Sequence, residues 1–184
     1  MLKNIKLVHY FKGIVISFWI AFLLLAVLAW NGLSSAADSL HVVHSERMNK
    51  ADKLGEMAQN ISRNRAEILL MFQHDPQGRM HGIHDHALSA HFDNYDKRRE
   101  ETNKMWDAVK GMKANADEAK LIAEVDQARK AWVAEVNQAL ASLKRNEFST
   151  DVMAGYLKAG RTEGEAMLKS LNALHQYQED AAEH

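Results

Sequence analysis

The chain has 184 residues, one proline, no cysteine and a formal net charge of −1. That length supports one domain with its own core plus one further segment. The lack of cysteine excludes disulfides, thiolate metal sites, iron–sulfur clusters and covalently attached haem. A near-zero charge, with no basic stripe interleaved with aromatics, argues against nucleic acid as a partner.

Residues 13–30, GIVISFWIAFLLLAVLAW, carry no charge. Extended to Leu33 the run is about 20 residues long, the span of a bilayer core at ~1.5 Å rise per residue. Lys3, Lys6 and Lys12 precede it, and Asp38 and Glu46 follow. The positive-inside rule then gives a cytoplasmic basic tail (1–12), a transmembrane signal anchor (13–33) and a periplasmic remainder (34–184) on the inner membrane. A cleaved signal peptide is the rival reading, with SSAAD (34–38) as the processing site. The apolar run exceeds the ~7–15 residues of a signal h-region, which favours the anchor.

After residue 38 the composition favours helix, and turn formers are few. The first helix is expected from about Ser39 to Gln73, continuing out of the membrane segment. Its seam is Leu54, Ala58, Ile61, Arg65, Ile68 and Phe72, in alternating steps of four and three. Asp75-Pro76, Gly78 and Gly82 end it. The second helix is expected over Ala87–Lys113, with Leu88, His91 or Phe92, Tyr95, Thr102, Trp106, Val109 and Met112 inward. Its DKRREE run (96–101) reads as a solvated face. The third starts at NADE, with Asn115 as N-cap and Glu118 in capping-box position. It carries an apolar face from Leu121 to Leu143 and ends near Arg145. The fourth starts after Ser149 or Thr150 and runs through Leu157, Met167, Leu171 and Leu174. Gly155, Gly160 and Gly164 weaken its first half. The expected fold is all-α, an up-down-up-down four-helix bundle preceded by one transmembrane helix. Its membrane-distal end holds the 74–86 and 146–149 turns.

Three stretches carry a family resemblance. ISRNRAEILLMFQHDP (61–76) is similar to the end of the first sensor helix in bacterial methyl-accepting chemotaxis receptors. HDHALSAH (84–91) resembles an HDHP…S…H run in one branch of that family, with Ala87 where proline is common. FSTDVMAGYL (148–157) is similar to the usual entry to sensor helix 4. Together with the membrane topology, these make the whole chain resemble the amino-terminal part of such a receptor. The resemblance implies a sensor domain that binds a small solute at the distal end, forms a homodimer along helix 1 and signals by displacement of helix 4 against helix 1. It also implies that the chain is either the sensor half of a longer receptor or a protein that senses without that output. The family's full members continue into a second membrane helix, a HAMP linker and a cytoplasmic coil.

In the family's amino-acid receptors, arginines near the tip bind the ligand carboxylate across the dimer interface. Arg63 matches one such position. Ala58 and Glu67 stand where aspartate receptors carry further arginines, which speaks against aspartate. An organic acid or other anion remains as the ligand class. Asn64 and Arg65 flank the matching arginine, and Arg161 and Thr162 are candidates to close the site from helix 4. Arg65 falls on the apolar seam, where a guanidinium needs a partner: a bundle glutamate such as Glu135, or a bound carboxylate.

The second candidate site is HDPQGRMHGIHDHALSAH (74–91). Imidazole suits Zn, Cu or Ni, and His81, His84, His86 and His91 are the candidate ligands, with His74, Asp75 and Asp85 close by. The alternatives are a polar loop in which His or Asp caps helix 2, a pH sensor, and a lid over an anion pocket. A membrane-anchored or secreted metal-binding bundle is therefore the alternative function. The methionines and tryptophans read as packing. No nucleophile elbow, phosphate loop or paired carboxylates suggest an enzyme.

Overall fold

A computed structural model of the chain describes residues 2–183. The helices are α1 (Leu2–Phe72), α2 (Leu88–Gly111), α3 (Ala116–Lys144), α4 (Thr150–Ala159) and α5 (Glu165–Glu183). A 3₁₀ turn (His81–Ile83) lies in the α1–α2 loop, and a π-turn (Gly160–Gly164) joins α4 to α5. There is no strand among the described residues. The chain divides into two compact units, Met1–Ser45 and Glu46–His184.

The first unit is helical. Residues His9–Asp38 form a stretch long and apolar enough to cross a membrane, with mean hydropathy 2.5. Large apolar side chains, from Tyr10 and Phe11 through Trp30 and Leu33, are exposed along it. Ser17 donates its hydroxyl to the Gly13 carbonyl at 2.9 Å, so its one hydroxyl between Gly13 and Trp30 is satisfied within the helix. The side chains of Lys3 and Lys6, on which the basic-tail reading partly rests, lie outside the described residues, as does His184.

The second unit is the four-helix bundle. Its core holds Leu54, Met57, Ile68 and Met71 of α1, Trp106 and Val109 of α2, Val125, Trp132 and Leu143 of α3, and Met167, Leu171 and Leu174 of α5. The methionines and tryptophans among them pack as expected. The buried Trp106 donates its indole N–H to Asp126 Oδ1 at 2.7 Å, leaving no orphaned donor.

Local signals explain most helix ends. The Asn115 side chain accepts from the Glu118 amide at 2.9 Å, and the Ser149 hydroxyl from the Val152 amide at 3.3 Å. After Phe72 the chain turns. The Asp75 carboxylate accepts from the Gln77 amide at 2.9 Å, and a side chain at Gly78 would press on Asp75 Cβ and its carbonyl at 3.2 Å. That close approach favours glycine in the turn.

Two expectations are corrected. No side chain caps α2: Ala87 occupies the N-cap in extended conformation, so neither His nor Asp performs that role. The last bundle helix is also not one α-helix. Extending its heptad spacing back from Met167 places Leu157 inward, yet Leu157 is 38% exposed and Tyr156 is buried. A π-turn holds one more residue than an α-turn, and it shifts the buried face by that residue.

Candidate functional site

The 74–91 segment brings four imidazoles together. His74 follows the last turn of α1, with its amide bonded to the Met71 carbonyl at 3.1 Å. His84 and His86 lie in the loop after the 3₁₀ turn, and His91 is in the first turn of α2. One ligand atom from each of His74, His84, His86 and His91 lies within 4.8 Å of all the others. The His74 and His84 rings stack with centroids 4.1 Å apart, while His86 and His91 meet edge-on at 4.8 Å. His84, His86 and His91 are thus assembled, and the fourth member is His74. His81 is exposed in the 3₁₀ turn and outside the group. The physical reason is direction: α1 delivers His74 from below, whereas the turn carries His81 outward.

The groups around the rings fix which nitrogen faces inward. Glu67 Oε1 accepts from His91 Nδ1 at 2.7 Å, and Asp85 Oδ1 from His86 Nδ1 at 2.9 Å. A carboxylate only accepts, so both rings carry a proton on Nδ1 and present Nε2 inward. Those two Nε2 atoms face each other at 3.0 Å. In neutral rings this sets lone pair against lone pair, an arrangement that a proton on one ring or a shared metal cation resolves. His84 Nε2 is bonded to Gln73 Oε1 at 3.2 Å, which leaves its Nδ1 for the cluster. His74 Nε2 is buried with no hydrogen-bond partner.

Burial and mutual repulsion favour the neutral form of His74 and His84. His74 is lowered from 6.5 to about 4, by burial first and then by repulsion from His84, His91, His86 and His81. His84 is also lowered, by loss of solvent and by His86 and His91. Burial of Glu67 raises its pKa, but hydrogen bonds from His91 and Asn94 and the charge of Arg98 outweigh this, so it lies below the usual carboxylate range. The His86 contact lowers Asp85 in the same way. Arg98 pairs with Glu67 Oε2 and donates its Nε to Asn64 Oδ1 at 2.9 Å.

Of the five anion candidates, Asn64 and Arg65 line one pocket of the bundle and Arg63, Arg161 and Thr162 do not. Arg63, Arg161 and Thr162 are exposed, and the Thr162 hydroxyl bonds back to Lys158 O at 3.3 Å. Asn64 braces Arg98. Arg65 pairs with Glu165, not Glu135, at 2.9 Å, donates to the Gly160 carbonyl at 3.1 Å and lies over the Trp132 ring. Sequence reasoning left His74 outside the ligand set and did not place Glu67 and Arg98 in support of it. The signal for the first two was register: Glu67 and His74 are seven residues apart, two helical turns on one face.

The described residues combine a helical bundle that carries a cluster of four imidazoles with an apolar amino-terminal stretch long enough to cross a membrane. The chain matches the family described as Tar ligand binding domain homologue over residues 1–182, and it belongs to that family. It is therefore a chemoreceptor ligand-binding sensor domain. No curated protein and no solved structure matches the chain.

Proposed function

We propose that this sensor domain responds to a divalent transition metal, zinc foremost, bound by His74, His84, His86 and His91 at the end of the bundle where α1 turns into α2. The observation that carries this is the pair of Nε2 atoms of His86 and His91 held face to face at 3.0 Å, each ring oriented from behind by a carboxylate. Two ligands of a tetrahedral zinc, each at ~2.0–2.1 Å from the metal, stand about 3.3–3.4 Å apart. The pair is thus close to one edge of such a tetrahedron, and a ligand atom of each of the other two rings lies within 4.8 Å of it. Four nitrogen donors from three directions suit a tetrahedral ion better than the square plane favoured by Cu(II).

In this reading the His9–Asp38 helix crosses the inner membrane with the basic tail inside and the bundle in the periplasm. The chain works as a homodimer along α1. Metal draws the loop and the first turn of α2 onto the end of α1, and that difference between states is what displaces the last bundle helix. The mechanism acts by binding and shape alone, with no catalytic step.

Zinc titrated into the full chain in detergent, followed by calorimetry, should show one site per chain. The variant His86→Ala/His91→Ala should bind at least ~100-fold more weakly, since two of four ligands are gone. Undiminished zinc binding in that variant would overturn the assignment.

A further inference from the structure

Behind the four imidazoles stands a positive charge that the ligand set does not use. Glu67 and His74 are seven residues apart at the end of α1, and His91 and Arg98 are seven apart on α2. The two spacings match across the helix pair. His74 meets His91 with ring centroids 5.0 Å apart, and one step of seven deeper Arg98 pairs with Glu67 Oε2. Among the described residues, Arg98 is the one arginine or lysine paired with a carboxylate that supports the cluster.

The two supporting carboxylates are unequal. The Asp85 side chain behind His86 is fully exposed, so water screens its charge. The Glu67 side chain behind His91 is only 12% exposed, so its charge acts with less screening. Arg98 subtracts from that stronger charge, and each partner of the pair is also held independently of the other. Arg98 Nε donates to Asn64 Oδ1 at 2.9 Å, and Asn64 Nδ2 donates to the Tyr95 carbonyl at 3.4 Å. Glu67 Oε1 accepts from His91 Nδ1 at 2.7 Å and from Asn94 Nδ2 at 3.3 Å.

We propose that Arg98 is a positioning residue that acts through Glu67 to hold down the metal affinity of the four-histidine site. The inference rests on zinc occupying that site. A carboxylate behind a metal-bound imidazole makes the ring a better ligand. A guanidinium on the same carboxylate draws that charge away, and its own charge opposes a dication. With the Arg98 charge removed, Glu67 is left partly buried without a full counter-charge. A metal on Nε2 of His91 makes its Nδ1–H a more positive donor and compensates Glu67. Loss of the Arg98 charge therefore tightens binding, opposite in sign to loss of the Glu67 charge. A sensor must release its ion when the concentration falls, and Arg98 serves that release.

The test is zinc calorimetry on the full chain in detergent, wild type first. Arg98→Gln keeps a side-chain donor but removes the charge, and should bind zinc about fivefold or more tightly. Arg98→Lys keeps the charge and loses the fork, and should stay within about twofold of wild type. Folding of both is checked by circular dichroism. A residue that merely anchors Glu67 would give weaker binding in both. In the metal-free chain, the His91 Nδ1 proton should resonate further downfield in Arg98→Gln, because Glu67 pulls on it harder. The wild type gives a measurement without substitution: zinc should shift the Arg98 Nε–H resonance as Glu67 is drawn toward His91. Equal or weaker binding in Arg98→Gln, equal tightening in Arg98→Lys, an upfield His91 signal, or an unmoved Arg98 signal would overturn the proposal. No zinc binding by the wild type would sink the metal reading itself, whereas binding that ignores the Arg98 charge would sink this inference alone.

Discussion

Two polar layers of the bundle make opposite use of buried charge. Around Glu118, fully buried in α3, every charge has a partner: Lys50 and Arg47 both pair with it, and Lys50 also donates to the Lys113 carbonyl. Around His74 the polar atoms converge but are left over, with an orphaned His74 Nε2 and the Nε2 atoms of His86 and His91 facing each other at 3.0 Å. Only the Gln178 amide nitrogen is left over in the Glu118 layer; paired charges of this kind fix a helix register, whereas converging, unpaired ligand atoms specify what is missing. The difference separates scaffold from site inside one bundle, where residue type alone would not.

The comparison can be broken most forcefully at Glu118. Glu118→Ala leaves Lys50 buried and unpaired, and should cost about 3–5 kcal/mol of stability in a denaturant melt. It should leave zinc affinity per folded molecule unchanged. A mild loss would mean that the layer is less closed than its contacts indicate.

At the other layer, Glu67→Gln keeps the shape but removes the charge behind His91. Zinc affinity should fall about 10–100-fold, as for other groups that orient a metal-bound histidine, a larger loss than that of the metal-free melt, which also drops because the Arg98 pair is lost. Equal losses in both would mark Glu67 as scaffold.

The smallest effect concerns protons. In the metal-free chain, His74 has a folded pKa of about 4 against the ordinary histidine value of 6.5. Its folded pKa is depressed, so its contribution to stability is fully present above 6.5 and is lost as pH falls toward 4. Melts across that window should show a decline that His74→Gln flattens. An unchanged slope would remove His74 as the source.

Legibility from sequence followed how local each cause is. The Asn115 cap, the Asp75-Pro76 stop and the apolar seams depend on neighbours within a turn or two, and they were readable. The Glu118 side chain shows the limit. Its amide takes the Asn115 cap as the capping box requires, but its carboxylate turns into the core toward Lys50, which is 68 positions away. DKRREE read as a solvated face because the run is so charged. Arg98 and Arg99 nonetheless turn inward, because their partners lie on α1 and α3. The His loop could be seen as a donor-rich segment, but the choice of His74 over His81 depends on how α1 ends.

The π-turn at Gly160–Gly164 acts as a phase offset. One additional residue amounts to about 100° of rotation about a helix axis. The stretch before it therefore shows the bundle a different side from the one its own sequence periodicity would choose. Leu157 waits at the surface while Tyr156 reaches across to the Arg65 carbonyl at 3.2 Å. Five residues thus set which of two neighbouring side chains α1 meets.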